Sequence, residues 1–166
     1  MKGIILCGYQ GIGKSTLCNR PFSPNEPKNT IDLESSNFFA PPNFERPEKW
    51  YIIYAQIARD LADQGYAVFT SSHKIFRDYL NEIGEKFITV SPALELKDFW
   101  VKKLRDRYEV DPSAKNEKAL LNAEQMFEAN IKDLQSEQFA LVIKNEDYNL
   151  GELIQRYLVE HREELK

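Results

Sequence analysis

The run Gly8-Tyr9-Gln10-Gly11-Ile12-Gly13-Lys14-Ser15 constrains this chain more than any other feature, because it satisfies G-x-x-x-x-G-K-[ST] at every fixed position. An apolar run, Gly3-Ile4-Ile5-Leu6-Cys7, precedes it, and the helix-compatible stretch Ser15-Thr16-Leu17-Cys18-Asn19 follows. Strand, glycine loop and helix in that order are the setting in which the pattern makes a phosphate site. Glycines let backbone N–H groups turn inward around an anion, and the helix start adds the positive end of its dipole. Gly8, Gly11, Gly13, Lys14, Ser15 and Thr16 are therefore the expected phosphate-binding residues. Lys14 would bridge the β- and γ-phosphates, and the Ser15 hydroxyl would ligate Mg²⁺. The expectation is a chain that binds a nucleoside triphosphate.

A length of 166 residues fits one domain, 1–166, with a core of its own. The net charge of −4 gives no reason to expect a nucleic acid partner. Cys7 falls in the first strand and Cys18 in the first helix, which is neither a metal spacing nor a disulfide framework. They read as small core residues in a reducing compartment. No charged leader precedes the first strand, and no apolar stretch approaches bilayer length. The expected setting is cytoplasmic, away from membranes, as a monomer or homodimer.

Apolar runs alternate with helical periodicity, the signature of βαβ units around a parallel sheet. Strands are expected at 2–7, Thr30–Leu33, Tyr66–Thr70, Lys86–Val90 and Phe139–Ile143. Helical stripes carry Trp50, Ile53, Tyr54, Ile57, Ala58 and Leu61, then Ile75, Phe76, Tyr79, Leu80 and Ile83, then Leu120, Ala123, Phe127, Ile131 and Leu134, and finally Leu150, Leu153, Ile154, Tyr157 and Leu158. These aromatics read as core. Ser91-Pro92 reads as an N-cap with proline at N1, opening a further helix through Leu96, Trp100, Leu104 and Tyr108. Two segments escape the pattern: 35–47, which is rich in Pro and Phe, and the polar, proline-broken 109–117. The first reads as a substrate-covering segment and the region 105–118 as a lid.

Phosphate-binding loops serve many reactions, so the motif alone names none. No N-K-x-D guanine-reading pattern follows a strand, and no long strand ends in an Asp-Glu pair of the ATPase kind. The chain is too short for a module with a separate helical lid. A small phosphotransferase remains.

At this point the layout resembles the P-loop small-molecule kinases, namely nucleoside monophosphate, shikimate and gluconate kinases. Asp32-Leu33-Glu34-Ser35-Ser36-Asn37-Phe38, with Ser71-Ser72-His73-Lys74 and Arg77, is also similar to phage and bacterial proteins described as nucleotide kinases or as ATP-binding. The resemblance covers nearly the whole chain in order of elements. It implies a three-layer α/β P-loop fold, a five-stranded parallel sheet of order 2-3-1-4-5 with helices on both faces, and ATP with Mg²⁺.

Asp32 and Glu34 are two apart at the second strand's exit, so they point the same way if the strand extends that far. The resemblance makes Asp32 a metal-side and catalytic carboxylate and Glu34 a substrate contact, and a hydroxyl acceptor would use such a base. Lys74 and Arg77 offer a clamp for an acceptor phosphate, with His73 a weaker candidate. Arg105 and Arg107 stand where related kinases supply a cation to the transferring phosphoryl group. Two apart on a helix, they cannot share a face, and Arg107 is preferred. Lys115 and Lys118 read as solvated, and Tyr148 as a surface tyrosine.

A monophosphate acceptor brings its own anionic nucleophile, whereas a sugar or acid hydroxyl needs a carboxylate nearby. The aromatic segment around Phe38 favours a nucleobase over a polyol. The expected function is therefore a kinase of nucleoside or deoxynucleoside monophosphates. A hydroxyl-acceptor kinase and an ATP-binding switch remain as alternatives.

Overall fold

The apolar run before the glycine loop forms β1, Ile4–Gly8, and its partners in space come from later in the chain. The computed structural model describes residues 2–19, 29–35 and 46–166. Strand β1 pairs in parallel with β3, Ala67–Thr70, on one side and with β4, Phe87–Pro92, on the other. Outside these lie β2, Thr30–Asp32, and β5, Ala140–Ile143, giving the parallel order β2-β3-β1-β4-β5 that was expected.

The layers follow from the pleat. Successive residues of β1 face opposite sides. Ile4 and Leu6 join a core cluster with Trp100, Leu104, Phe127 and Ile154, while Ile5 and Cys7 join a second with Tyr54, Ala58, Phe76 and Leu80. The first cluster is closed by α1 (Lys14–Cys18), α4 (Lys97–Val110), α5 (Ala114–Gln135) and α6 (Leu150–Glu160). The second is closed by α2 (Trp50–Asp63) and α3 (Lys74–Glu82). Both faces of the sheet are thus covered, as the near-continuous apolar strands require. Ile5 and Leu6 are completely buried, each worth about 1.5–3 kcal/mol of transfer free energy. Among the described residues no helix is long and apolar enough to cross a membrane.

Two expectations about helix starts are corrected. Ser91 and Pro92 do not cap a helix; they extend β4, in register with Val142 and Ile143 of β5. Pairing with β1 ends at Val90, and the strand continues because β5 still pairs with it through Pro92; the helical path begins only with a 3-10 turn at Leu94–Leu96. The segment 109–117 is not irregular either. Helix α4 runs to Val110 and α5 starts at Ala114, so the break is confined to 111–113. Ser113 makes this possible: its Oγ accepts from the Asn116 N–H at 3.2 Å, an N-cap, while Asn116 Nδ2 donates to Asp111 O at 2.9 Å. The region expected as a lid is a tight helical hairpin.

Arg77 also differs from its expected role. It is buried in α3, and its guanidinium donates to Ser72 O at 2.9 Å, to Glu137 Oε1 at 3.0 Å and to the Asp133 carboxylate. A cation removed from water needs such partners, and here they tie α3 to the end of α5. Lys74, expected beside it in a phosphate clamp, is exposed and pairs with Asp78 at 2.7 Å along its own helix. Replacing Arg77 with Ala should lower the unfolding free energy by about 2–4 kcal/mol by chemical denaturation. Lys74→Ala should leave it nearly unchanged, as for an exposed pair.

Candidate functional site

The glycine loop leaves β1 at the carboxyl edge of the sheet, where parallel α/β folds place ligands. Gly11 and Gly13 have φ of 81° and 102°, the left-handed region in which a side chain is strained. Gly8 lies under the returning loop: a Cβ there would stand 2.5 Å from Ile12 Cδ1 and 3.3 Å from Lys14 Cδ, so the end of the Ile12 side chain would have to move. Gly13 leads directly into α1, whose first-turn amides have no acceptor inside the helix.

The outer side of the loop is braced by residues far away in sequence. Trp100 Nε1 donates to Gln10 O at 2.8 Å, and the Tyr148 hydroxyl donates to Ile12 O at 2.7 Å. Gln10 Nε2 donates to Ala119 O and Asn122 Oδ1, both at 3.2 Å, which fastens the loop to α5. Tyr148 and Trp100 stack with centroids 5.8 Å apart, and Lys103 Nζ lies 4.6 Å from the Trp100 centroid while donating to the Tyr148 hydroxyl at 3.0 Å. Tyr148 is thus half-buried rather than a surface residue, and burial pushes its hydroxyl up to about 12.

On the inner side, the Ser15 hydroxyl donates to Asp32 Oδ2 at 3.4 Å. Burial pushes the Asp32 carboxyl above its ordinary value, and Lys14 only partly pulls it back. Burial likewise pushes the Lys14 ammonium down, opposed by Asp32 and Glu34. Each charge is therefore held against its own desolvation by the others. Glu34 is also engaged by Lys115 of α5, whose Nζ stands 3.1 Å from Glu34 Oε2.

The wall beyond β2 and β3 is aromatic and cationic. Arg46 Nη2 donates to Ser35 Oγ at 2.8 Å, and its guanidinium lies 4.9 Å from the Trp50 ring centroid. Trp50 meets the His73 ring edge-on at 5.5 Å, and His73 Nδ1 is 2.7 Å from Ser71 Oγ. Tyr54 joins the two strand ends, donating to Leu33 O and accepting from Ser71 N at 3.0 Å. His73 is exposed at the surface, yet the side chains crowded around its ring push the imidazole down to about 4, first by desolvation and then through Arg46, Lys118, Lys14 and Arg77.

The structure therefore brings Gly8, Gly11, Gly13, Lys14, Ser15, Asp32 and Glu34 together, with Thr16 exposed beside Ser15 in the first turn of α1. It does not bring Lys74 and Arg77 to them as a clamp, since both are committed within the fold. Arg105 pairs with Glu124 of α5 at 3.0 Å. Arg107 is exposed along an open groove of about 510 Å³ shared with Asp111, Lys115 and Asn116, and its charge is felt by Lys103. Phe38, and nearly all of the 35–47 segment, lies outside the described residues. Sequence reasoning missed Lys115, Arg46, Trp50 and Tyr148 as site residues. For Lys115 a signal existed: Ser113 as an N-cap puts it in the first turn of a helix, not in a solvated loop.

No protein-family model and no curated protein matches this chain. Ser15 Oγ and Asp32 Oδ2 are hard oxygen donors of the kind Mg²⁺ takes, and this pair fits that ion. Among the described residues no three His, Cys, Asp or Glu side chains converge as a metal-holding group. The donor set suits a cation that arrives with phosphate oxygens and keeps several waters.

Two expectations follow from the charges. Asp32 holds its proton to higher pH in the folded chain than in the unfolded one, so its contribution favours folding at low pH and is lost as pH rises through the folded value. Asp32→Asn should therefore raise the melting temperature of the ligand-free protein at neutral pH, with the gain vanishing below the ordinary carboxylate range. His73 has the opposite sense: its folded value is lowered, so it favours folding above the ordinary imidazole range and ceases to do so as pH falls through about 4. An NMR titration should find its ring neutral at pH 5.5.

Proposed function

We propose that this protein is an ATP-dependent phosphotransferase whose acceptor is a nucleoside or deoxynucleoside monophosphate. One observation carries the reading: a glycine loop with left-handed turns at Gly11 and Gly13 sets Lys14 and Ser15 beside Asp32 at the carboxyl edge of a parallel sheet. Loop amides and the Lys14 ammonium would hold the β- and γ-phosphates, and burial of Lys14 strengthens that attraction by excluding water. Mg²⁺, held through Ser15 with Asp32 behind it, would neutralise charge on the phosphate oxygens. Asp32 would orient the Ser15 hydroxyl through the contact between them. The Trp100–Tyr148 brace keeps the loop in shape without being rebuilt during the reaction.

The acceptor side supports a nucleotide. Trp50 offers an aromatic surface, and Arg46 supplies a cation for an acceptor phosphate. Arg107 stays the preferred arginine for the transferring group, since Arg105 is occupied by Glu124. A hydroxyl-acceptor kinase is the second reading, favoured by the upward shift of Asp32, which makes its carboxylate a better base.

The test is ADP production from Mg-ATP against ribo- and deoxynucleoside monophosphates, nucleosides, gluconate and shikimate. One or two monophosphates should stimulate it, and Lys14→Ala should reduce the rate at least about 100-fold with the fold intact. Stimulation by a hydroxyl compound alone would favour the second reading. A flat panel with tight ATP binding would replace both with a nucleotide-dependent switch.

A further inference from the structure

The cations of the α4–α5 hairpin are sorted by their partners. Lys102 pairs with Asp106 at 2.8 Å on its own helix, Arg105 with Glu124 at 3.0 Å, and Lys103 is seated on Trp100 and Tyr148. These contacts serve the hairpin or the brace behind the glycine loop. Lys115 is different, because its partner Glu34 lies 81 residues away, just beyond β2, and belongs to the inner side of the site. Glu34 supports the Lys14 ammonium, and Lys115 works against it. Lys115 also favours the charged form of Asp32. Its ammonium and that of Lys14 therefore bear on the same two carboxylates, Asp32 and Glu34.

The pair is built to be broken. Lys115 is 60% exposed and Glu34 36%, so water and salt screen their attraction, and such a pair contributes little stability. A terminal phosphate carries more negative charge than one carboxylate and offers more acceptor oxygens to an ammonium. Building on the nucleotide-binding reading above, we infer that Lys115 is an exchangeable cation. It rests on Glu34 when the loop holds no nucleoside triphosphate, and it passes to the γ-phosphate when one is bound. A diphosphate has no such group and leaves the pair in place. The exchange reports the third phosphate to the acceptor side, because it releases the Glu34 carboxylate toward the acceptor only when a transferable phosphoryl group is present. Lys115 is then the contact through which the site tells triphosphate from diphosphate.

The test is calorimetric titration of the full chain with the Mg²⁺ complexes of a non-hydrolysable ATP analogue and of ADP. Glu34→Gln removes the competing carboxylate and should tighten the analogue by about threefold, the worth of an exposed pair, without changing ADP. Lys115→Ala should weaken the analogue by about tenfold, the worth of a charged hydrogen bond, and again leave ADP unchanged. The double variant should match Lys115→Ala alone, since no ammonium then remains to be released. If Glu34→Gln still tightens the analogue in the Lys115→Ala background, Glu34 merely repels phosphate and the inference is overturned. Equal shifts for ADP and the analogue would overturn it too. Wild-type protein that binds neither nucleotide would instead remove the nucleotide-binding reading on which the inference rests. Thermal melting of each variant separates these effects from unfolding.

Discussion

The burial of β1 on both faces is the constraint on which the rest of this structure depends. A strand paired on both sides and apolar toward both layers cannot slip by one residue without turning buried side chains to the wrong cluster. That register sets where Gly8 stands, and with it where the loop leaves the sheet. The same register aligns Asp32 with Phe69 and Cys7 with Thr70, so the exits of β1, β2 and β3 open onto one edge. The chemistry-bearing residues are neighbours because hydrophobic packing made them so.

Around that edge the fold spends stability to hold charge. Lys14 and Asp32 are both displaced away from their charged forms by burial, and each is the other's principal compensation. Neutral side chains would suit the ligand-free fold better. Arg77 stands in contrast. It is more deeply buried, yet two carboxylates and a carbonyl meet its donors, and it serves packing between α3 and α5.

The loop's shape is likewise shared with the tertiary structure. Left-handed glycines permit the turn, but carbonyl contacts from Trp100 and Tyr148 decide which way its peptide groups face. Those two aromatics come from α4 and from the segment after β5, so the loop is complete only when the sheet is. Rigidity of this kind would let loop dipoles act on a bound anion without reorganising.

Local pattern in the sequence determined the glycine loop, the five apolar strands and the helical stripes apart from the exposed Ile53, Ile57 and Ile75, whereas β2 stops at Asp32, short of Glu34. Each depends on residues close together in the chain, where spacing maps directly onto one face or one turn. The roles of Arg77, Lys74, Lys115 and Tyr148 were not legible in that way. A charged or aromatic side chain takes its role from whichever partner the fold brings near, and apart from Asp78 for Lys74 and the Ser72 carbonyl for Arg77 the partners that matter here lie 45 to 136 residues away. Ser91-Pro92 misled for a related reason: its local preference for a helix start was overridden by pairing with β5, about fifty residues on. Sequence determined what each segment could form, and tertiary structure decided which charges face the site, because only long-range packing sets the partner of a side chain.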